Sequence, residues 1–310
     1  MFNDFENDPE LWVAIITGEG RGFSAGNDLK YQAVGGAKEF MKMQVCDHAR
    51  THALTHARTH ARTHARTHAR MHARTHARTH ARTRARARAP RGPSFAREVW
   101  GFITGAGDRA FSAGNDLKYQ AQEAGGEMKA GPETGFAGLT ARYDNTKPVI
   151  AAVNGVAMGG GFEIALACDL IVASTNALFA LPEPKVGLAA LAGGVHRLPR
   201  QIGLKRAMGM MLTGRRVPAE EGERLGFVNE VVAPDELLAA ARRWAELIVE
   251  CAPLSVRATK QAAMNGLDHG LIADAMAEKY PAIHEMIKSE DFIEGPLAFA
   301  EKRPPQWKGR

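Results

Sequence analysis

The sequence predicts an α/β fold built on a mostly parallel sheet with helical crossovers. Three observations predict it. From Glu98 onward, short β-rich runs alternate with helical patterns, the signature of strands joined by crossover helices. The run Lys147-Pro-Val-Ile-Ala-Ala-Val-Asn is apolar throughout and bounded by turn residues, as a strand covered on both faces should be. Gly159, Gly160 and Gly161 then precede a second apolar run, which predicts a tight turn feeding a helix from about Phe162 to Cys168.

The elements follow in order. Trp12–Ile16 and Val99–Thr104 read as strands, each running into a glycine-rich turn. Residues 122–138 are glycine-rich and polar with little periodicity, so a loop or a mobile helix over the site is expected. Leu139–Thr146 reads as a helix end, and Leu170–Ala173 as a strand. Residues 203–214 form an amphipathic pattern, and Pro218–Leu225 predicts a helix with proline near its first turn. Phe227–Val232 predicts a short strand. Glu236–Cys251, Leu254–Asn265 and Ile272–Lys288 predict helices, so the last third should be helical and suited to a lid or an oligomer interface.

Composition narrows the function classes. Hydrophobic residues make up 45% of the 310, enough for a sizeable core. The net charge of +6 invites a nucleic-acid reading. However, eleven arginines lie between Arg50 and Arg88, in one repetitive tract. Without them the chain is net acidic, so nucleic acid is not the expected partner. Cys46, Cys168 and Cys251 show no disulfide or metal-ligand spacing, and no metal is expected. No apolar run reaches the roughly 18 residues that span a bilayer. The acidic start MFNDFENDPE lacks a signal-peptide apolar region, and WKGR is not the peroxisomal tripeptide. A cytoplasmic location is the default expectation.

The N-terminal third carries a duplication. FSAGNDLKYQA occurs at Phe23–Ala33 and again at Phe111–Ala121. Two copies do not make a solenoid, which needs at least three regular units. Between them Thr-His-Ala-Arg recurs from about Thr51 to Arg82. It is poor in apolar residues beyond alanine and single-signed in charge, so disorder is expected. The repeated tetranucleotide ACGC encodes this same cycle, which points to a translated simple repeat. Its nine histidines, His48 to His80 at every fourth position, and its arginines leave incidental metal or nucleic-acid binding open. The expected organisation is a partial duplicate over 1–45, the low-complexity tract over 46–97, a core over 98–265 and a helical oligomerisation or lid region over 266–310.

The chemistry concentrates between Asn154 and Glu183. Glycines ahead of a helix leave backbone N–H groups bare, and the helix dipole adds positive charge there. That suits an oxygen gaining negative charge during a reaction. Glu163, in the first helical turn, and Glu183, before Pro184, are carboxylates able to move protons beside it. Each feature has a plain structural alternative. The glycines could serve helix–strand packing, Glu163 could complement the helix dipole, and Glu183 could be a turn carboxylate. His196 reads as structural or exposed rather than catalytic.

Several stretches in sequence order resemble the crotonase superfamily of enoyl-CoA hydratases and isomerases. They are ITGAGDRAFSAGNDLK, KPVIAAVNGVAMGGGFEIALACDLIVAS, ALFALPEPKVGL, AGGVHRLPRQIG and LTGRRVPAEEGERLGFVNEVV, and the resemblance covers about Val99–Arg310. AGNDLK and FALPE look most like carnitinyl-CoA dehydratase-like and short-chain enoyl-CoA hydratase-like members. The resemblance implies a crotonase-like spiral of ββα units with a helical C-terminal region. It implies an acyl-CoA thioester substrate, no separate cofactor, and a homotrimer or hexamer.

The resemblance also implies site roles. The backbone amides of Asn115 and Gly160 would form the oxyanion hole, with Glu163 activating water and Glu183 giving the proton at C2. Ser112, Ala113, Asp116 and Leu117 would line the CoA adenine pocket, with Lys118 or Lys302 near its phosphates; a solvated charge is the alternative for Lys118. An enoyl-CoA isomerase is the alternative activity. The family's opening strand pair and helix have no counterpart before Trp12 or Val99. The N-terminal strands are therefore expected to be incomplete; the first copy could supply a strand in place of the second, but not both oxyanion donors at once. An impaired crotonase-like binding protein is the remaining alternative.

Overall fold

A computed structural model describes residues 2–17, 100–104, 110–114 and 132–310. The Thr-His-Ala-Arg tract and the first FSAGNDLKYQA copy lie outside the described residues, and so do the expectations attached to them.

Two sheets form the frame. The first has the order β2 (Trp100–Thr104), β1 (Val13–Thr17), β4 (Val149–Val153), β6 (Leu170–Ser174), β9 (Glu230–Val232), with every neighbour parallel. The second has the order β3 (Ala110–Ser112), β5 (Val156–Met158), β7 (Leu178–Ala180), β8 (Val217–Pro218), parallel except for β7 with β8. From β2 to β7 consecutive strands alternate between the sheets. β4 and β5 are followed by helix α2 (Gly160–Ala167), and β6 and β7 lead to helix α3 (Gly194–Ile202). This is the spiral of strand pairs and helices expected from the sequence.

The two sheet faces bury different residues because strand side chains alternate. Ala14, Ile16, Val149, Ala151 and Val153 join the larger core, where Phe162, Phe179 and Phe227 pack with ring centroids 5.1 to 5.2 Å apart. Val13, Ile15, Ile150, Ala152 and Val172 face the other way, onto helix α6 (Leu237–Val249) through Leu237, Ala240, Ala241 and Ala245. Burial on both faces explains the unbroken apolar reading of these strands.

The N-terminus departs from expectation. The strands ahead of the two copies do not take each other's place; they lie side by side in one sheet. β1, ahead of the first copy, takes the inner place against β4, with Ala14 paired to Val149 and Ile15 to Ile150. β2, ahead of the second copy, is the edge strand beyond it. A short helix, α1 (Phe2–Asn7), precedes β1 and buries Phe2 and Phe5. The acidic reading of MFNDFENDPE concealed it. Its dock is Lys147, fully buried, whose Nζ donates to the carbonyls of Phe5 and Asp8 at 2.6 Å each. Glu6 accepts from the Thr146 hydroxyl at 2.7 Å.

Other boundaries moved for local reasons. α2 starts at Gly160, two residues before Phe162, because glycine suits the tight entry. Leu139–Thr146 forms turns after a 3-10 turn at Phe136–Gly138 rather than a helix end. Ile272–Lys288 is two helices, α8 (Ile272–Ala277) and α9 (Pro281–Lys288). Pro281 starts the second and holds Tyr280 extended at φ −80°, ψ 120°, since a residue before proline avoids the helical region. The helices α4 (Leu204–Thr213), α5 (Ala219–Leu225) and α7 (Pro253–Gly266) lie close to the predicted spans. α10 (Asp291–Ala300) closes the chain.

Candidate active site

Three successive glycines let three different neighbours close on one turn. Gly159 has φ 54°, and a Cβ there would sit 3.0 Å from Glu183 Oε1. A Cβ on Gly160 would lie 2.6 Å from the Phe136 ring. A Cβ on Gly161 would lie 2.1 Å from the carbonyl oxygen of Ser112, inside contact distance. The sequence thus brings β3, the Phe136 turn and Glu183 onto the entry of α2.

Gly160 is the first residue of α2, so its N–H has no carbonyl within the helix to reach. Gly114, at φ 84°, lies against it; a Cβ on Gly114 would be 3.0 Å from Gly160 N. Asn115 follows Gly114 in the chain but lies outside the described residues, with Asp116, Leu117 and Lys118. Ser112 is buried, and its hydroxyl accepts from the Gly114 amide at 3.3 Å. Ala113 is exposed.

Glu163 stands one turn into α2 and is 4% exposed. Its own amide donates to Gly159 O at 3.0 Å, and its Oε1 accepts from Gly194 N at 2.9 Å. Gly194 is the first residue of α3, so a carboxylate meets a helix N-terminus, where bare N–H groups favour it. Burial nevertheless dominates and pushes the Glu163 carboxyl up to about 7. The Gly194 amide opposes that rise, the charge of Glu183 adds to it, and the Ala192 amide and Arg197 oppose it more weakly.

Glu183 opens a 3-10 turn, Glu183–Val186, after Leu181 and Pro182. Burial raises its pKa too, against a bond from its own backbone amide. Its Oε2 is buried with no hydrogen-bond partner among the described residues, a costly state for an ionised oxygen. Two carboxyls with raised pKa values therefore flank the Gly159–Gly160 turn.

Residues 100–310 match the family model described as enoyl-CoA hydratase/isomerase. The chain belongs to the enoyl-CoA hydratase/isomerase family. It is 50% identical over 213 residues to the carnitinyl-CoA dehydratase of Salmonella arizonae, covering 67% of this chain and 80% of that protein. It is 49% identical over 214 residues to the carnitinyl-CoA dehydratase of Escherichia coli K12, with the same coverage. The solved enoyl-CoA hydratase of Mycobacterium tuberculosis superposes with TM-score 0.61 at 41% identity, over 67% of this chain and 81% of that one. That of Geobacillus kaustophilus gives TM-score 0.57 at 41% identity, over 67% and 79%.

This enoyl-CoA hydratase/isomerase family enzyme has the crotonase-like fold expected from its sequence. Glu163, Glu183 and Gly160 converge on one turn, and Ser112 packs against Gly161 beside it, with Ala113 exposed next in the chain. Lys302 lies beyond α10, exposed, with φ 55°, and its backbone amide donates to Phe299 O; among the described residues no hydrogen bond or ion pair joins it to the two carboxylates. His196 is exposed on α3. Sequence reasoning missed Gly194, Arg197 and Phe136. The glycine pair in AGGVHRLPR, just ahead of a helix, was the available signal for the first. Among the described residues no helix is long and apolar enough to cross a membrane.

Proposed function

We propose that this protein adds water across the double bond of a 2-enoyl-CoA thioester, or in reverse dehydrates a 3-hydroxyacyl-CoA. The observation that carries the reading is the placement of two carboxyls, Glu163 buried and Glu183 half-buried, on either side of a turn whose Gly160 amide has no partner within its own helix. In hydration, ionised Glu163 takes a proton from water as its oxygen bonds to C3. The C2–C3 electron pair moves toward the thioester, whose oxygen becomes enolate-like. The Gly160 amide, with that of Asn115 as the second donor, holds this oxygen. Protonated Glu183 then delivers a proton to C2. Dehydration runs the same transfers backwards.

Such preorganised amides are worth roughly 3–4 kcal/mol each in related chemistry. No resident cofactor is needed, because CoA arrives as part of the substrate. Ser112 and Ala113, with Asp116 and Leu117, are assigned to the adenine end, and Lys118 or Lys302 to the phosphates. The names of the curated relatives make carnitinyl-CoA the first hydroxyacyl substrate to try. Ile272, Met276 and Phe299, 80%, 82% and 87% exposed on α8 and α10, make the helical region apolar outside, which fits a homotrimer or hexamer.

The test is turnover of crotonyl-CoA and carnitinyl-CoA by the full chain, Glu163→Gln and Glu183→Gln. Each variant should lose about 10²–10⁴-fold. Loss in Glu183→Gln alone, with conversion of 3-enoyl to 2-enoyl thioester, would replace hydration by isomerisation. Turnover of neither substrate by the unmodified chain would overturn the assignment.

A further inference from the structure

The geometry points to Arg197 as a positioning residue that ties the Phe136 turn over Gly160 to the helix whose first amide holds Glu163. This rests on the proposed hydratase reading for its meaning in catalysis, but its structural content stands on its own.

The Phe136 turn is wound against its preferences. Gly135, Ala137 and Gly138 have φ of 75°, 55° and 68°. Positive φ at alanine costs free energy, and such outliers persist only where the surroundings enforce them. The enforcement is visible. Phe136 N donates to Thr140 Oγ1 at 2.8 Å, and Ala141 N donates to Thr134 O at 3.0 Å. The result is a phenyl ring lying on Gly160, so close that only glycine fits beneath it.

Thr140 is 3% exposed, and its carbonyl accepts from Arg197 Nη2 at 2.8 Å. Arg197 belongs to α3, the helix that begins at Gly194. Its guanidinium folds back over Gly193, where a Cβ would come within 2.1 Å of Nη1, and stands 5.9 Å from the Tyr143 ring centroid. One side chain therefore fixes the position of the turn above the oxyanion amide relative to the helix that binds the water-activating carboxylate. A catalytic constellation is productive only when such supports hold it within fractions of an ångström.

The charged groups that bear on Glu163 are few. Glu183 faces it from the 3-10 turn and Arg197 from α3. β3, β5 and the Phe136–Gly138 turn carry no titratable side chain, Lys185 is exposed, and on α3 His196 and Arg200 are exposed, with Arg200 bonded to the His196 carbonyl. Among the described residues, removing the Arg197 charge therefore leaves Glu183 as the charged neighbour of Glu163.

The experiment uses the full chain with Arg197→Gln and Arg197→Lys and three readouts. Hydrogen exchange of the Phe136 amide should speed up by about tenfold in Arg197→Gln, because its acceptor is held less firmly. The Glu163 carboxyl, followed by carbon NMR, should titrate at higher pH in Arg197→Gln and move back toward the original value in Arg197→Lys. With crotonyl-CoA, kcat should fall about tenfold in Arg197→Gln with KM within about twofold, and the acid limb of the rate profile should follow the NMR titration. Unchanged amide exchange and unchanged Glu163 titration in Arg197→Gln overturn the inference, whatever the rates. Equal rate loss in both variants without movement of the limb also overturns it. If Arg197→Gln does not fold, the Phe136 exchange of Arg197→Lys, which loses the planar guanidinium, decides instead: faster exchange supports the inference and unchanged exchange overturns it. Absence of turnover in the unmodified chain sinks the proposed function instead, and the first two readouts still decide the role of Arg197.

Discussion

The Oε1 of Glu163 accepts the amide of Gly194 at 2.9 Å, and a Cβ on Gly194 would sit 3.1 Å from that same oxygen. The carboxylate is thus held by a helix N-terminus that only glycine lets it approach. Yet its burial outweighs this bond, and its pKa rises from 4.5 to about 7.

That imbalance predicts a stability cost. A folded-state pKa above the unfolded one means the folded protein holds the proton more tightly. The associated stability is complete below about pH 4.5 and is lost as pH rises through about 7. Glu163→Gln keeps the acceptor for Gly194 and removes the charge. It should stabilise the protein above neutrality by up to about 3 kcal/mol and have little effect near pH 4. Guanidinium unfolding at both pH values measures it; an equal change at the two would contradict the assignment.

The same pair predicts a bell-shaped rate profile. Hydration needs ionised Glu163 and protonated Glu183, so activity should climb as Glu163 loses its proton around pH 7 and fall when Glu183 does. The two groups interact, so the limbs belong to the pair. Glu183→Gln should remove the alkaline limb from whatever residual rate survives. Kinetics of kcat/KM against pH check this.

Gly161→Ala tests the packing of the site. Its Cβ would fall 2.1 Å from the Ser112 carbonyl, and backbone cannot yield as a side-chain tip does. β3 would be displaced from α2, carrying Gly114 away from Gly160. The expected result is a loss of about 10²–10³-fold in kcat with a destabilisation of about 1–3 kcal/mol from overpacking. Melting temperature and crotonyl-CoA turnover measure the two effects.

How much of this was legible in the sequence follows from which forces are local. Lys147–Asn154 announced a strand because both its faces are covered, and GGGFE announced a turn and helix because glycine and a first-turn acid are local signals. β5, Val156–Met158, and β7, Leu178–Ala180, are too short to show a period, and α3 was obscured by the polar run His196, Arg197, Arg200. The hold of Gly194 on Glu163 spans 31 residues of sequence, and no pattern in either segment encodes it. The order of β1 and β2 was illegible for a sharper reason. The copies have nearly the same apolar pattern, so the choice between them rests on what precedes each, and only the first brings α1.

The inner place of β1 predicts that Ile15→Ala is severe. Ile15 is fully buried, pairs beside Ile150, and packs toward α6. Truncation should cost about 2–5 kcal/mol, read as a drop in the denaturant midpoint with little change in slope. A cost below about 1 kcal/mol would mean that the second copy fills the inner place instead.

Lys147→Met tests what selects the first copy. Lys147 Nζ donates to the carbonyls of Phe5 and Asp8 and stands 5.1 Å from the Phe5 ring centroid. Its own carbonyl accepts from Lys260 Nζ at 2.7 Å, and Lys260 also bonds Asp169 at 2.8 Å, so the dock is tied to α7 and the end of α2. Methionine fills the volume but leaves two carbonyls unpaired, a loss of about 1–3 kcal/mol. Amide exchange in α1 and β1 should rise first. Burial holds the Lys147 ammonium down to about 8, from 10.5. The unfolded chain binds the extra proton between those values, so the original protein should gain stability as pH rises from about 8 to 10.5. Lys147→Met should lack that gain. A parallel rise in both proteins would show that another group titrates there and that Lys147 does not anchor the N-terminal copy.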